Sequence, residues 1–226
     1  MQYYNLKLSV ILKKDIRAEE AYEKLSNLIS YAMLQDNNLK LLHEENKYKN
    51  YVFCNLYPVE KDSIYKCNNV YYFDIRGIDL KMLMKLKQVL NVAENENFKV
   101  IQASFETSMQ RKITKLITLT PVIITTEIGD YDIKYDLDFV KNRLVANIQK
   151  KYKSIYNTEA DVDFIKEIIK TNKKPMKIPY KNIHMLGNKF EIMVKEDPIS
   201  QNLAYLMLSV GCGEKNSLGF GFCMAR

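Results

Sequence analysis

One histidine in the first half of the chain has the surroundings that a proton-transfer catalyst needs. His43 lies in a polar stretch, and Lys47 and Lys49 follow it closely. An imidazole can accept or donate a proton near neutral pH, and a nearby ammonium can stabilise an anion that forms during a reaction. A surface histidine without a role is the alternative interpretation of His43. The second histidine, His184, is placed late in a predicted strand, where an exposed or hydrogen-bonded histidine is the simpler expectation.

Four of the seven glycines lie within the last sixteen residues, and they define a glycine-rich loop at residues 211–221. The loop follows a predicted helix and precedes a predicted strand. P-loops and dinucleotide fingerprints have the opposite order, because their phosphates sit at a helix N-terminus. The loop is therefore expected to approach another chain closely and to donate N–H groups to phosphates. A helix end plus a tight turn is the structural alternative, and it explains the first glycine better than the others. The candidate phosphate-binding residues here are Gly211, Gly213, Lys215, Gly219 and Gly221.

The positive charge is concentrated in the second half of the chain. The whole chain has 34 Lys and Arg against 27 Asp and Glu, a formal charge of +7. Residues 141–189 contain twelve basic and four acidic residues, a net +8, which leaves −1 for the rest. A solvated lysine-rich surface is one explanation, and a track for a phosphate backbone is the other. The candidate phosphate contacts follow one another along a predicted helix: Lys141, Arg143, Lys150, Lys151 and Lys153.

Several classes of chemistry lack the residues that they need. Two distant histidines and four cysteines without CxxC spacing provide no zinc site. The aspartates at residues 130–138 do not match a calcium loop, and helix capping explains them. No serine lies in the sequence context of a nucleophile elbow. We therefore expect neither a metal nor a cofactor.

The sequence also predicts a soluble, cytoplasmic protein without a membrane segment. No apolar run approaches the roughly 20 residues of a membrane-spanning helix. The first residues lack the features of a signal peptide. The four cysteines are expected to be reduced thiols, because a chain of this length does not need disulfides.

Hydrophobic periodicity predicts the order β-α-β-β-α-β in the first half. Helices are expected to begin after Asp15 and Asp79, each acting as an N-cap. The polar stretch at residues 35–49, which contains His43, is expected to be a connector. This order is the ferredoxin-like unit. Strands are expected at residues 3–12, 51–57, 70–75 and 98–105.

The second half repeats that order more loosely. Residues 161–170 are expected to form an extra element outside the repeat. The other predicted elements are a strand within 113–126, a helix from about Asp136, a hairpin of 177–184 with 189–194, a helix capped by Asp197 and a strand at 218–224. We predict an α+β fold of two tandem ferredoxin-like (RRM-like) βαββαβ domains, residues 1–110 and 111–226.

The two units, the early histidine and the C-terminal loop together resemble a known family. The loop contains Gly211-Cys-Gly213, five further residues, and Gly219-Phe-Gly221. In this respect the chain resembles the CRISPR repeat-processing endoribonucleases of the repeat-associated RNA-binding superfamily. The likeness extends over the whole chain, and the loop is its specific part.

The resemblance implies metal-independent cleavage of CRISPR precursor repeat RNA. The 2′-hydroxyl beside the scissile phosphate would attack, leaving a 2′,3′-cyclic phosphate and a 5′-hydroxyl. Members of the family often combine a tyrosine, a histidine and a lysine, and the matching positions are Tyr31, His43 and Lys49 or Lys47. The implied partner is the repeat RNA, with further subunits of a guide-RNA complex as additional candidates.

Two other functions are compatible with the sequence. A non-catalytic subunit of the same superfamily would bind guide RNA without cutting it, and only His43 distinguishes this case from the enzyme. A ferredoxin-like dimer that binds a small ligand would show no salt-dependent affinity for RNA.

Overall fold

The computed structural model describes residues 2–45, 47–107, 112–126, 129–130 and 136–226. None of the helices within these ranges is both long enough and apolar enough to cross a bilayer. The elements in chain order are β1 (Tyr4–Leu12), β2 (Ile16–Arg17), α1 (Ala21–Met33), α2 (Asn37–Glu44), β3 (Tyr51–Phe53), β4 (Ile64–Tyr65), β5 (Val70–Gly77), α3 (Leu80–Leu90), β6 (Phe98–Thr107), β7 (Lys115–Thr118), β8 (Thr125–Thr126), β9 (Gly129–Asp130), α4 (Leu137–Tyr156), β10 (Ile165–Lys170), β11 (Met176–Tyr180), β12 (Ile183–Gly187), β13 (Phe190–Val194), α5 (Pro198–Val210), a 3₁₀ helix (Asn216–Leu218) and β14 (Cys223–Ala225).

The first sheet contains four antiparallel strands in the order β3-β5-β1-β6. Apolar residues alternate along β1, so that Leu6, Leu8 and Val10 lie on one buried face. That face shares a core with the apolar sides of α1 and α3. The β-α-β-β-α-β order predicted for the first half is therefore confirmed.

The second sheet has the equivalent strand order, β10-β13-β7-β14. In both sheets the first strand of the unit lies between the third and the fourth. Strand β10 lies within residues 161–170, so this stretch is the second strand of the repeat and not an extra element. The tandem ferredoxin-like architecture is confirmed, whereas the domain boundary predicted between residues 110 and 111 lies outside the described residues.

The hairpin predicted from residues 177–184 and 189–194 is wrong. The first of these segments contributes to a hairpin of its own, β11 with β12, in which Tyr180 pairs with Ile183. Lys181 has a left-handed backbone conformation at φ 52°, as a two-residue hairpin turn requires. Strand β13 pairs with β10 and β7.

The stretch that contains His43 is helical rather than a simple connector. Asp36 accepts hydrogen bonds from the amides of Asn38 (2.9 Å) and Leu39 (3.0 Å), and in this way it caps α2. The cap expected at Asp15 is wrong, because α1 begins several residues later and Asp15 accepts a hydrogen bond from a different loop. The caps expected at Asp79, Asp136 and Asp197 are confirmed.

Side chains that cross between the two halves hold the sheets together. Arg76 on β5 donates to the carbonyl oxygens of Leu208 (3.1 Å) and Cys223 (2.7 Å). Its guanidinium carbon lies 4.2 Å from the centre of the Phe222 ring. Phe222 is part of the first core, whereas Tyr3 is part of the second. The two halves therefore exchange core residues, which fixes the groove between them.

Candidate nucleic-acid cleft

A cleft of about 870 Å³ lies between the two halves. Its walls are residues 45 and 47–51, one face of α4, and residues 213–218 of the glycine-rich loop. Six of the lining residues are Lys or Arg and two are Glu, and this excess of cations favours a polyanion. Lysines beside His43 and basic residues of the second half thus face the same space: Lys47, Lys49, Arg143, Lys150, Lys151 and Lys215.

His43 lies in the last turn of α2, and its side chain is exposed. The first cleft-lining residue of this wall, Glu45, follows two positions later. His43 itself is not among the described residues that line the cleft. Proton transfer at that position requires the RNA to extend from the cleft onto the end of α2.

Lys49 stabilises the end of α2. Its ammonium donates to the backbone carbonyl oxygens of Leu42, His43 (3.0 Å) and Glu45. The last carbonyls of a helix have no intrahelical partners and carry negative partial charge, so an ammonium is favourable there. Burial lowers the pKa of Lys49 below its ordinary value, and the carboxylate of Glu45 opposes this effect. Lys49 therefore fixes the turn that carries His43.

The two other candidate catalytic residues differ in their positions. The Lys47 side chain is 75% exposed and lies 3.4 Å from the carboxylate of Glu45, so its ammonium is accessible from the cleft. Tyr31 lies on α1 with half of its surface exposed. Tyr31 is not among the described residues that line the cleft.

The basic residues of α4 do not share one face. Arg143 and Lys150 line the cleft. Lys141 forms an ion pair with Asp163 (2.8 Å), and Lys153 forms one with a glutamate beyond the end of the helix. Of the candidate phosphate contacts along α4, Arg143 and Lys150 are therefore the exposed cations that line the cleft.

Lys151, one of the candidate phosphate contacts, is directed into the protein rather than into the open cleft. Lys151 is only 3% exposed, and its ammonium donates to the carbonyl oxygens of Gly211 (3.0 Å) and Gly213 (2.9 Å) and to Oδ1 of Asn216 (2.7 Å). An ammonium has three protons, so all of them already have acceptors within the protein. Burial lowers the pKa of Lys151 to about 8.

Three of the four loop glycines, which are candidates for donating N–H groups to phosphates, have acceptors for their amides within the protein. The amide of Gly211 donates to Met207, that of Gly219 to Asn216, and that of Gly221 to Pro121. All four glycines are buried. Gly213 contributes its carbonyl oxygen to Lys151.

Close packing and a left-handed backbone explain why glycine is required in this loop. At Gly221 φ is +72°, and an added Cβ would lie 1.9 Å from the carbonyl oxygen of Cys212. At Gly219 φ is +94°, and a Cβ would lie 2.7 Å from the ring of Phe53 in the first half. The loop therefore folds against the first half and leaves Lys215 exposed at the cleft.

Sequence reasoning missed Asn216 and Glu214. The amide of Asn216 accepts from Lys151 and donates to the carbonyl oxygens of Cys212 (3.1 Å) and Phe220 (2.9 Å). Glu214 accepts from Arg143 (3.1 Å) and therefore neutralises part of that side chain's charge. The available signal for Asn216 was its central position, five residues from both Gly211 and Gly221.

The second histidine and the candidate metal ligands lie elsewhere. His184 on β12 is exposed, as expected for a strand histidine. Within the ranges that the structure covers, no three His, Cys, Asp or Glu side chains are grouped as metal ligands. Of the aspartates considered for calcium, Asp136 caps α4 and Asp132 lies outside the described residues.

Comparisons with known proteins agree with this arrangement. The family model for CRISPR associated protein Cas6, C-terminal, matches residues 103–225. The curated protein CRISPR-associated endoribonuclease Cas6 2 of Methanocaldococcus jannaschii is 27% identical over 241 residues, which cover 96% of this chain and 97% of that protein.

Two solved structures share the fold over nearly the whole chain. One, described as CRISPR associated protein Cas6, gives a TM-score of 0.76 at 22% identity and covers 100% of both chains. Another, described as an RAMP protein binding different RNA substrates, gives 0.78 at 14% identity and covers 99% of both. The family resemblance inferred from the C-terminal loop is confirmed, because the family model covers more than half of the sequence and includes that loop. The chain belongs to the Cas6 family of CRISPR-associated proteins.

Proposed function

We propose that the protein is an endoribonuclease that processes CRISPR repeat RNA in the cleft between its two halves. The observation that carries this proposal is the shared cleft, where lysines next to His43 face Arg143, Lys150 and Lys215. A polyanion held in the cleft lies against residues 45 and 47–51, which directly follow the helix end that carries His43. The proposed division into domains is 1–110, which carries the catalytic candidates, and 111–226, which supplies most of the cationic surface.

The proposed reaction is a transesterification within the RNA. The 2′-hydroxyl loses its proton and attacks the adjacent phosphorus, while the bond from phosphorus to the 5′-oxygen breaks and that oxygen gains a proton. The products are a 2′,3′-cyclic phosphate and a 5′-hydroxyl. His43 serves as general acid or base, a role worth on the order of 10²–10⁴ in rate. The RNA supplies its own nucleophile, so the proposed mechanism assigns no step to a metal ion.

The lysines near His43 have different proposed roles. Lys47 stabilises the charge that develops on the phosphorane, because its ammonium is exposed beside the cleft. Lys49 acts indirectly by holding the end of α2, since its protons are directed at backbone carbonyls. Tyr31 would join the site only through RNA that reaches the exposed side of α1.

RNA binding is assigned to the exposed cations of the second half. Arg143, Lys150 and Lys215 contact phosphates inside the cleft, and Lys141 and Lys153, each paired with a carboxylate, add weaker contacts along α4. Such contacts position the RNA and make its affinity dependent on salt. The buried glycines act by shaping the loop that presents Lys215.

A substrate lacking one 2′-hydroxyl tests this chemistry directly. Repeat RNA with a 2′-deoxy nucleotide at the cleavage position should bind with unchanged affinity and should not be cut. Cleavage of the unmodified RNA should continue in excess EDTA, and its products should carry cyclic phosphate ends. Loss of cleavage in EDTA, or cutting of the deoxy substrate, would contradict the mechanism.

A guide-RNA-binding subunit without catalytic activity is the second candidate. It is favoured by the position of His43 outside the cleft lining and by the engagement of Lys49 with carbonyls. Such a subunit would retain the RNA and contact other subunits of a guide-RNA complex. Tight, salt-dependent binding of repeat RNA without any product under single-turnover conditions would support this candidate over the enzyme.

A further inference from the structure

Lys151 is a buried cation whose charge needs an explanation. Moving an ammonium out of water is costly, and it is tolerated when hydrogen bonds replace the lost hydration. Here two carbonyl oxygens and one amide oxygen provide that replacement at 2.7–3.0 Å. One of the carbonyls belongs to Gly211, which ends α5, so the ammonium also lies at the negative end of that helix dipole.

Asn216 extends this interaction across the glycine-rich loop. Its amide oxygen accepts from Lys151, and its amide nitrogen donates to Cys212 before it and Phe220 after it. A Cβ at Gly211 would lie 2.5 Å from that nitrogen, so the loop is closed tightly around the amide. Through the side chains of Lys151 and Asn216, α4 is therefore linked by hydrogen bonds to both ends of the loop.

The far side of the same loop touches the first half of the molecule. Phe220 stacks on Tyr22 of α1, with ring centres 5.3 Å apart and planes nearly parallel. Gly219 packs against Phe53 of β3. Between these contacts and the Lys151–Asn216 pair, Lys215 is presented at the cleft in a left-handed conformation.

We propose that Lys151 is a positioning residue, which holds the glycine-rich loop through Asn216 so that Lys215 faces the RNA across the cleft. The proposal rests on the proposed placement of RNA in that cleft. In this proposal Lys151 does not contact the RNA. Its effect on RNA binding and cleavage therefore depends on the presence of Lys215.

Two substitutions at adjacent lysines distinguish a role of Lys151 in positioning the loop from the general effect of removing one positive charge. Lys151→Met removes the buried ammonium while keeping a chain of similar length, and Lys150→Met makes the same change at the neighbouring exposed residue of the cleft. In the free protein, amide hydrogen exchange of residues 212–219 should accelerate in Lys151→Met and stay unchanged in Lys150→Met. Since this measurement contains no RNA, it can succeed or fail independently of the proposed function.

The dependence on Lys215 is tested with a double-mutant cycle on repeat RNA. Lys151→Met should lower kcat/KM by roughly 10- to 100-fold, the size expected from misplaced binding groups. Lys215→Met should weaken RNA binding in the wild-type background and add little in the Lys151→Met background. Lys215→Met and Lys150→Met should instead combine additively.

Two results would overturn the proposal. If Lys151→Met weakens RNA binding while loop exchange stays at its wild-type rate, then Lys151 contacts RNA itself. If neither changes, Lys151 positions nothing. Should Lys151→Met fail to fold, Asn216→Ala breaks the same connection from the loop side and takes its place in the comparison.

The wild-type protein provides a measurement that needs no folded variant. Lysine-specific ¹⁵N NMR should show that the protons of the Lys151 ammonium exchange slowly with water, and adding repeat RNA should leave that signal in place. The absence of a protected ammonium, or new scalar coupling between this ammonium and RNA phosphorus, would contradict the assignment.

Discussion

Two walls of the cleft present cations: one consists of residues 45 and 47–51, and the other is the glycine-rich loop. The two walls differ in how deeply their residues are buried and in how many hydrogen bonds these residues make within the protein. His43 is exposed in the last turn of the eight-residue helix α2, and Lys47 is exposed three residues beyond the end of that helix. In the loop, four glycines are buried and the Asn216 side chain makes three hydrogen bonds within the protein.

This difference indicates how the two walls divide the work. Exposed segments with few buried contacts open at low free-energy cost and can adjust to a ligand. A closed loop with satisfied polar groups keeps its shape and positions a charge. We expect substitutions of the exposed His43 and Lys47 to change chemistry with little effect on stability, and substitutions in the loop to change stability first.

The largest expected effect belongs to His43→Ala. Removing the imidazole should lower the single-turnover cleavage rate by on the order of 10²–10⁴, with RNA affinity nearly unchanged. His184→Ala is the matched control, because it removes the other exposed histidine, on β12, and should leave the rate at the wild-type value. An unchanged rate for His43→Ala would remove the catalytic role from this wall.

The second largest effect is a loss of folding stability caused by a substitution in the glycine-rich loop. Gly221→Ala forces a side chain into a left-handed position at φ +72° and toward the Cys212 carbonyl oxygen. The strained backbone alone should cost about 1–3 kcal/mol in the free energy of unfolding, measured by urea denaturation. Ser217→Ala in the same loop serves as the control and should cost much less. Equal stabilities would show that the loop is not rigid in the way described.

A smaller effect is expected from Lys49→Met. The carbonyls at the end of α2 lose their ammonium partner, which should cost about 1 kcal/mol of stability. The cleavage rate should also fall, because the turn that carries His43 is no longer fixed. Lys47→Met should leave stability unchanged, since Lys47 is exposed. A stability loss at Lys47 rather than Lys49 would reverse the assigned roles.

The smallest effect concerns single phosphate contacts. Lys150→Gln should reduce the slope of log affinity against log salt by slightly less than 1, in line with about 0.7–0.9 per phosphate. Lys153→Gln should change this slope less, because Lys153 is paired with Glu159 outside the cleft. A larger change in the slope for Lys153→Gln than for Lys150→Gln would indicate that the RNA binds along the other side of α4.

The sequence predicted the architecture because the architecture depends on local patterns. Alternation along β1 and the aspartate caps of α3, α4 and α5 were sufficient to locate the repeated units. Strand β10 was not placed in the repeat because its neighbour β13 is separated from it by an inserted hairpin. Pairing between distant segments depends on packing that a local pattern does not encode.

Residue types were predicted better than their roles. Lys151 and the glycines were recognised as unusual, but their burial depends on a loop that folds back onto α4 and α1. A lysine next to an exposed lysine looks identical in sequence whether its ammonium faces solvent or three oxygen acceptors within the protein. Asp36 and Leu39 did carry a local signal for α2, which the polar composition of that stretch obscured.

The claim that one RNA occupies both walls of the cleft is tested most directly by hydrogen exchange with and without repeat RNA carrying a 2′-deoxy nucleotide at the cleavage site. The account predicts that residues 41–51 and 213–218 become protected together, with no change on the open face of the first sheet around Tyr72. Protection confined to that face, with both walls of the cleft unaffected, would contradict it.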